Sequence, residues 1–369
     1  YTSERISKMR FGEFRILTEA KVGREYQHLE DLVFVDGSQG ANKAADILDN
    51  LGTDSSDVAI KWDGNPTIYW GREDNGEFVM VGKNGWGRQR STSSADLAKF
   101  IKTSGKGEEW REKFGNDMAQ IFDILKSSTP PSTNQYVYGD LLYHPGNPYT
   151  ITDGKIQFTP NKVTYTVDVN SDMGKRIAQS KVGVTVHTRY NAFGDKDGQP
   201  VNQVGELNSK DVVVLGQTYV SHQPTVKSGE TDSIRKLVQK NGKLIDSFLA
   251  PVKGLSDMKN IIYTYVNHMT RTKQLQNIEK GFFDWLGTSK VSANKQAKIQ
   301  AMHNESPQAL LAIFGLVKQI MLAKDDIIDQ LDDADADIKA STGDERGGEG
   351  YVAQKSKIKL VPRSRWQPN

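Results

Sequence analysis

The stretch that decides the fold runs from residue 58 to residue 71 and reads VAIKWDGNPTIYWG. Two short runs of apolar and aromatic residues, VAI and TIYW, flank a segment whose Asp, Gly, Asn and Pro are typical of turns. The pattern predicts two β-strands joined by a short connection. Lys61 ends the first strand, directly before Trp62, Asp63 and Gly64. Taken alone, such a lysine is usually a surface residue of a hairpin.

The chain around this stretch is rich in predicted strands as far as about residue 220. Apolar runs bounded by Gly, Pro, Asn and Asp predict these strands. They read EFVMVG (77–82), QYVYGDLLY (135–143), KVTYTVDV (162–169), VGVTVHTRY (182–190) and DVVVLGQTYV (211–220). Segments 40–51 and 94–125 interrupt them with apolar residues at helical spacing, which predicts helices there.

The pattern changes to helical after residue 221. Between residues 232 and 249 the apolar positions recur at i, i+3, i+4 and i+7, which is one helix face. Further helices are predicted at 255–270, 272–286, 293–303 and 307–331, the last capped by Ser306. The acidic run 325–337 has seven aspartates. Such a run is typical of a solvated face, and a metal site is the alternative.

The end of the chain returns to β character, with a loop at 341–350 and one strand at 351–361. Lys355, Lys357 and Lys359 alternate there with Ile358 and Leu360, so period-two spacing predicts that the lysines share one face. Lysines that protect an edge strand are the alternative. We predict a β-rich domain interrupted by a helical insertion, with boundaries 9–227, 228–340 and 341–369. Residues 1–8 precede Met9 and are expected to be a leader.

Composition excludes several classes of protein. The 369 residues are 36% hydrophobic and 25% charged, as in an ordinary globular chain of two or three domains at roughly 150 residues each. No apolar run approaches the roughly 18 to 20 residues of a membrane span, so we expect a cytosolic protein. The chain has no cysteine and six scattered histidines, so any metal is expected on oxygen ligands, which favours Mg²⁺ or Mn²⁺. The net charge of +2 does not by itself indicate a nucleic-acid-binding protein.

Five short motifs, in chain order, give the sequence a resemblance to a known family. They are Lys61-Trp62-Asp63-Gly64 (K-x-D-G), the strand and basic turn EFVMVGKNG with Lys83, the G-D-L of Gly139-Asp140-Leu141, the E-G-x-V of Glu349-Gly350-Tyr351-Val352, and the K-x-K of Lys357 and Lys359. Together they resemble the covalent nucleotidyltransferase superfamily of ATP-dependent DNA and RNA ligases and mRNA capping enzymes. Stretches such as GDLLYHPG (139–146) are similar to those of phage-encoded ligase-like proteins; if the source is viral, the cytoplasm of the host is the expected location.

The resemblance implies an α+β fold: a ligase-type nucleotidyltransferase domain of mainly antiparallel sheets with flanking helices, plus an inserted all-helical subdomain. It implies ATP as the nucleotide and Lys61 as the nucleophile that forms a lysyl-AMP. A lysine ordinarily titrates near 10.4, and a magnesium ion with nearby cations would lower its pKa. Asp140 and Glu349 would hold Mg²⁺ (or Mn²⁺). The nucleotide would be bound by Asp63, Gly64, Lys83, Asp140, Tyr165 (stacked on the purine), Glu349, Lys357 and Lys359.

Two departures bear on the acceptor. Many relatives continue the first motif as K-x-D-G-x-R, whereas Asn65-Pro66 follow Gly64 here. The arginine's role would pass to Arg72, Lys83, Arg88 or Arg90. Lys83, Arg88 and Arg90 lie near Trp86, and basic residues beside an aromatic residue suit a single-stranded nucleic acid; a solvated face is the alternative. The ten residues that follow Lys359 are too few for an OB-fold domain, so no OB-fold domain is expected.

We therefore expect a polynucleotide ligase that joins 5′-phosphate and 3′-hydroxyl ends, with RNA favoured. One alternative is a nucleotidyltransferase with another acceptor, such as a DNA nick ligase, a GTP-dependent capping enzyme or a protein-modifying enzyme. The other is a non-enzymatic nucleotide-binding or assembly module of the same fold. His187, at the end of the strand 182–190, is expected to be a satisfied sheet histidine rather than a pocket residue.

Overall fold

The computed structural model describes residues 27–104, 108–131, 135–201, 203–227, 229–334 and 338–363. In these residues the chain forms nine α-helices and fifteen β-strands, and most strand pairs are antiparallel. This confirms the predicted α+β class. The predicted start at Met9 and two aspartates of the acidic run, Asp335 and Asp337, lie outside the described residues.

The strands are short; seven of the fifteen match predicted apolar runs, six lie where no strand was predicted, and the last two replace one predicted strand. They are β1 (Gln27–His28), β2 (Val58–Ile60), β3 (Thr67–Arg72), β4 (Phe78–Gly82), β5 (Tyr136–Tyr143), β6 (Thr150–Thr152), β7 (Lys155–Phe158), β8 (Val163–Asp168), β9 (Val182–Tyr190), β10 (Gln199–Pro200), β11 (Val212–Leu215), β12 (Ile338–Thr342), β13 (Glu345–Arg346), β14 (Tyr351–Ala353) and β15 (Ile358–Leu360).

The helices include two that replace one predicted helix at 94–125. They are α1 (Leu32–Leu51), α2 (Ser94–Thr103), α3 (Trp110–Ser128), α4 (Asp172–Ile177), α5 (Glu230–Leu249), α6 (Met258–Arg271), α7 (Phe282–Thr288), α8 (Ala293–Glu305) and α9 (Pro307–Asp333). The helix predicted at 272–286 is wrong over most of its length, because only the last part of that segment is helical.

The chain divides into two compact units. The first contains the described residues of Tyr1–Val58 and Gly350–Asn369 together with Val220–Asp333; the second contains Ala59–Tyr219 and Ala334–Glu349. The domain boundaries predicted from the sequence, 9–227, 228–340 and 341–369, differ from the limits of these two units. They remain a prediction.

In the first unit, α1 packs against α5 and α9. Helix α1 is broken at Gly37, whose φ of 60° is in the left-handed region. The Asp246 carboxylate of α5 accepts the Ser38 backbone N–H at 2.8 Å and the Ser38 hydroxyl at 2.6 Å, which caps the helix beyond the break. A Cβ on Gly37 would lie 2.3 Å from Asp246 Oδ1, so only glycine fits at this break.

A buried charge cluster of Glu30, Asp31, Lys324 and Arg363 lies in this unit. Lys324 Nζ is 2.8 Å from Glu30 Oε2, and Arg363 Nη1 is 2.9 Å from both Glu30 Oε1 and Asp31 Oδ1. The side chains of Lys324 and Glu30 have no exposed surface. Burial alone would raise the pKa of Glu30, but the Lys324 and Arg363 cations outweigh it and lower that pKa to about 2. The cluster thereby links helix α9 to the segments that precede α1 and follow β15.

The predicted single strand at 351–361 is wrong. Strands β14 and β15 pair antiparallel instead, joined by a turn at residues 354–357 in which Lys357 has a φ of 56°. The turn takes Lys355 and Lys357 out of the strand, so the three lysines do not share one strand face. The core-facing positions change parity across the turn, from Tyr351 and Ala353 to Ile358 and Leu360. One continuous strand would keep the same parity, so the prediction of a single strand missed this change.

In the second unit, a central sheet has the order β10-β9-β5-β3-β4, with β11 parallel to β9. One face of this sheet packs on α2 and α3 through Ile68, Trp70, Leu97 and Phe122. A second sheet has the order β13-β12-β8-β7-β6. Strands β12 and β13 occupy most of the segment 338–346, so the loop predicted from residue 341 is wrong for its first half.

Among the described residues, no single helix is both long and apolar enough to span a membrane. Helices α8 and α9, bent by 96° at their junction, meet the length and composition limits only as a pair. Most apolar residues of α9 are buried within the protein.

Candidate active site

Lys61 follows β2 and forms an ion pair with Glu349. The N–H of Ile60, the residue before it, donates to the Thr218 carbonyl at 2.8 Å and thereby fixes the end of the strand. The side chains of Lys61 and Glu349 are 28% and 34% exposed, so the pair is accessible. The fold thus brings together the lysine of K-x-D-G and the glutamate of E-G-x-V, which are far apart in the sequence.

Asp63 fixes the turn that follows Lys61. Its carboxylate accepts the Asn161 side-chain amide at 2.9 Å and the backbone N–H groups of Lys162 and Val163 at 2.9 and 3.1 Å. Its own N–H donates to the Tyr165 hydroxyl at 2.6 Å. Asp63 is only 7% exposed. Asp63 therefore anchors the K-x-D-G turn to the start of β8 and positions Lys61.

Replacing Asp63 with alanine is expected to lower the free energy of unfolding by about 2 to 4 kcal/mol, because buried N–H donors lose their acceptor. Urea unfolding followed by circular dichroism measures this change. Asp168→Ala is the matched control, since Asp168 pairs with Lys155 in the same unit while 44% exposed. Because this pair is exposed, its loss is expected to leave the free energy of unfolding almost unchanged. Equal losses for the two variants would contradict the anchoring role.

Tyr165 does not have an exposed ring face. The residue is 0% exposed, and its ring centroid lies 4.7 Å from that of Trp62 and 5.5 Å from that of Phe158. Burial raises the pKa of Tyr165 above its ordinary value. The purine-stacking role predicted for Tyr165 is therefore corrected: the ring belongs to the core beneath the K-x-D-G turn. Tyr165 shares one face of β8 with the apolar Val163 and Val167, so the alternation along the strand was itself a signal that the ring is covered.

Asp140 of β5 lies directly beside Gly64. A Cβ on Gly64 would be 2.5 Å from Asp140 Cβ and 3.1 Å from its carbonyl oxygen, so glycine is required for this approach. Asp140 Oδ1 accepts the Thr67 hydroxyl at 2.6 Å, and Oδ2 lies 2.9 Å from His187 Nε2. The G-D-L carboxylate is thus held beside the K-x-D-G turn by two polar side chains.

His187 is a site residue that the sequence reasoning assigned only to the sheet. The pairing of β5 with β9 shifts between Tyr138–Thr188 and Gly139–Val186, and His187 is the extra residue of this bulge. The bulge directs its imidazole towards Asp140, and the side chain is 39% exposed. No sequence signal marks a bulge in a run of apolar residues, so this contact could not be predicted.

The four basic residues predicted to bind nucleotide or nucleic acid separate into two kinds. Arg72 donates to the backbone carbonyls of Gly76, Lys126 and Thr129, and Arg90 forms an ion pair with Glu73. The predicted nucleic-acid role of Arg72 is therefore corrected, because its guanidinium group is held by three backbone carbonyls. Arg90 is 46% exposed beside Glu73, and its nucleic-acid role remains a prediction. Lys83 and Arg88 are exposed, and neither side chain forms an ion pair or hydrogen bond with the residues that the structure describes.

Lys357 and Lys359 belong to the first unit. Lys357 is exposed in the turn after β14, whereas Lys359 is half-buried in β15, opposite Val352 and beside His28 of β1. Gly350, at the start of this hairpin, has a φ of 111°, and a Cβ there would lie 2.1 Å from the Leu360 carbonyl oxygen. Their roles towards a nucleotide remain predictions.

Two carboxylates of the second unit suit a divalent cation. Within the described ranges, no group of three or more His, Asp or Glu side chains is placed to hold a metal ion. Magnesium, however, is commonly bound by one or two carboxylates together with substrate phosphates. Asp140 and Glu349, the two carboxylates predicted to hold Mg²⁺, are compatible with that mode, and their role as ligands remains a prediction.

These features define an α+β protein in which a β-strand ends at an accessible lysine paired with a glutamate, beside an aspartate held by a histidine. The sequence model of a family described as a family of unknown function (DUF6267) matches residues 25–367, and the chain belongs to this family. No curated protein and no solved structure matches the chain.

Proposed function

We propose that the protein is an ATP-dependent, RNA-directed polynucleotide ligase that carries AMP on Lys61. The observation that carries this proposal is the accessible pairing of Lys61 with Glu349 at the end of β2. A lysine and a glutamate that meet at a strand end beside a rigid turn are the arrangement expected of a nucleophile and its neighbouring acidic group. The motifs named above give the reaction class by resemblance.

In the first step, Lys61 Nζ attacks the α-phosphorus of ATP, and a P–N bond forms. The bond to the β-phosphate oxygen breaks, pyrophosphate leaves with the electron pair, and a proton of the amine passes to solvent. An ion pair with a carboxylate favours the charged ammonium, which is not nucleophilic. Nucleotide binding must therefore separate Lys61 from Glu349 before attack, so the pair is the resting state of the site.

The remaining residues position the reactants. Asp63 holds the turn, and Gly64 allows the close approach of Asp140. Asp140 and Glu349 are the residues that would hold Mg²⁺ (or Mn²⁺), whose charge would offset that of the phosphates. In the second and third steps, AMP passes to a 5′-phosphate and a 3′-hydroxyl displaces it. We assign these steps to the cytoplasm, that of the host if the source is viral.

Incubation with α-³²P-labelled ATP or GTP and magnesium, followed by denaturing electrophoresis, tests the first step. We expect label on the protein with ATP and much less with GTP, and acid treatment should release it because phosphoramidates are acid-labile. Sealing is measured separately on a single-stranded 5′-phosphate RNA and on a nicked DNA duplex. Label without sealing on either substrate would favour an acceptor of another kind. Absence of label with both nucleotides would overturn the proposal in favour of a non-enzymatic module.

A further inference from the structure

One face of the central sheet in the second unit carries aromatic side chains that the proposed chemistry does not use. Tyr69 of β3 has its ring centroid 4.6 Å from that of Tyr138 on β5 and 5.8 Å from that of Tyr190 on β9. Trp86, which follows β4, stacks on Tyr69 with centroids 4.2 Å apart and planes 12° from parallel. These four side chains, all half-buried, form what we call the aromatic surface.

The aromatic surface is not part of the main core of this unit. Ile68 and Trp70, which flank Tyr69 in β3, point to the other face of the sheet and pack among the residues of α2 and α3. Cross-strand aromatic pairs stabilise a sheet. The outer face of an antiparallel sheet, however, ordinarily carries polar side chains that meet water. Four partly exposed rings on such a face suit a ligand that is itself flat and apolar on its faces.

Two exposed cations lie at the border of the aromatic surface. Lys83 and Arg88 lie in the same connecting segment as Trp86, and both are exposed without an ion pair to any residue in the described part of the chain. Glu73, which accepts the Tyr136 hydroxyl at 2.7 Å, is already paired with Arg90. The charge at this border is therefore complementary to a polyanion.

The aromatic surface is continuous with the candidate active site. Tyr136, Tyr138 and Asp140 alternate along β5, so they share one face at steps of roughly 7 Å. Asp140 lies beside Gly64 of the K-x-D-G turn. A strand that lies along β5 over the rings therefore has one end at Asp140.

We infer that the aromatic surface binds a single-stranded polynucleotide, whose bases stack on the rings while its phosphates contact Lys83 and Arg88. Stacking on aromatic side chains needs bases with uncovered faces, which a single strand has and a duplex lacks. The placement of an acceptor end at Asp140 rests on the proposed function. Binding of the single strand does not, because it requires neither ATP nor Lys61.

Fluorescence anisotropy of a fluorescein-labelled 12-nucleotide RNA, without ATP or magnesium, tests the inference on the full chain. We expect the single strand to bind more tightly than the blunt duplex of the same sequence. Trp86→Leu and Tyr190→Leu are each expected to weaken binding about tenfold, the loss of one stacked base, whereas Trp86→Phe and Tyr190→Phe stay within about threefold. Equal binding by the Leu and Phe variants would overturn the inference, as would a preference for the duplex.

Trp110→Leu is the matched control. Trp110 is 55% exposed, with the Arg111 guanidinium over its ring, but it lies on α3, which packs on the opposite face of the sheet. Its replacement is expected to leave binding unchanged. A loss as large as that of Trp86→Leu would show that any exposed aromatic residue contributes, and the inference would fail.

Photocrosslinking keeps the test independent of how the variants fold. The wild-type protein is irradiated with a 12-nucleotide RNA that contains 5-iodouracil, and the crosslinked peptides are identified by mass spectrometry. Crosslinks are expected within residues 69–88, 136–140 or 187–190. Crosslinks found only in other segments would contradict the inference. The absence of any RNA binding would contradict it as well, and is the result expected if this surface binds a protein instead. If the protein is labelled by ATP but does not bind RNA, only this inference fails. If it binds RNA but is not labelled, only the proposed function fails.

Discussion

Replacement of Lys61 by methionine is expected to reduce covalent labelling by ATP at least about a thousandfold, to the background of the assay. Methionine keeps most of the length and apolar stem of lysine but has no amine, so no P–N bond can form. The ion pair with Glu349 is lost as well. That pair is partly exposed, and its contribution to stability is expected to be below about 1 kcal/mol, so the variant should fold.

Lys155→Met is the matched control for this variant. Lys155 pairs with Asp168 at 2.7 Å in the same unit and is 50% exposed, but it lies on β7 and takes no part in the site. Its replacement is expected to leave labelling by ATP unchanged. Circular dichroism and thermal unfolding of both variants establish that any loss is chemical. Labelling of Lys61→Met at the wild-type level would place the nucleotide on another residue and refute the assignment.

The sequence predicted β3, β4, β5, β8 and β9 well because their apolar runs are bounded by Gly, Pro, Asn and Asp. Strand β9 was predicted at 182–190 and lies at Val182–Tyr190. The order of the motifs also predicted that Glu349 and Lys61 share a site, and the structure brings these two side chains together. A set of motifs can predict such a contact because it specifies which residues form one site, whatever their separation along the chain.

Other features of the site depend on tertiary structure that no local pattern records. The alternation along β8 places Tyr165 on the apolar face with Val163 and Val167, but it does not show that Trp62 packs against that face. Arg72 was a candidate cation until the fold supplied three backbone carbonyls as its partners. The contact of His187 with Asp140 depends on a bulge, which shifts register by one residue without a change in composition.

The buried charge cluster of the first unit is another feature that arises only in the fold, and it predicts the largest effect on stability. Lys324→Met is expected to lower the free energy of unfolding by about 3 to 5 kcal/mol at pH 7, because Glu30 would keep a buried charge with one fewer cation. Neither side chain of this pair has exposed surface. Urea unfolding of the full chain, followed by circular dichroism, measures the change.

The pH dependence of this loss gives the prediction its sharpest check. The pKa of Glu30 is lowered from its ordinary 4.5 to about 2, so its stabilising contribution is present above about pH 4.5 and lost as the pH falls towards 2. Removal of Lys324 would raise that pKa, so the difference in the free energy of unfolding between wild type and variant should narrow from pH 7 to pH 3.

Lys227→Met is the control, because Lys227 forms an ion pair with Asp326 of α9 but is 67% exposed. Its replacement should leave the free energy of unfolding almost unchanged at both pH values. The prediction would be contradicted if Lys324→Met destabilised the protein no more than Lys227→Met does, or if its destabilisation did not change with pH. The cluster would then contribute no more than a surface ion pair, and apolar packing alone would join α9 to the neighbouring segments.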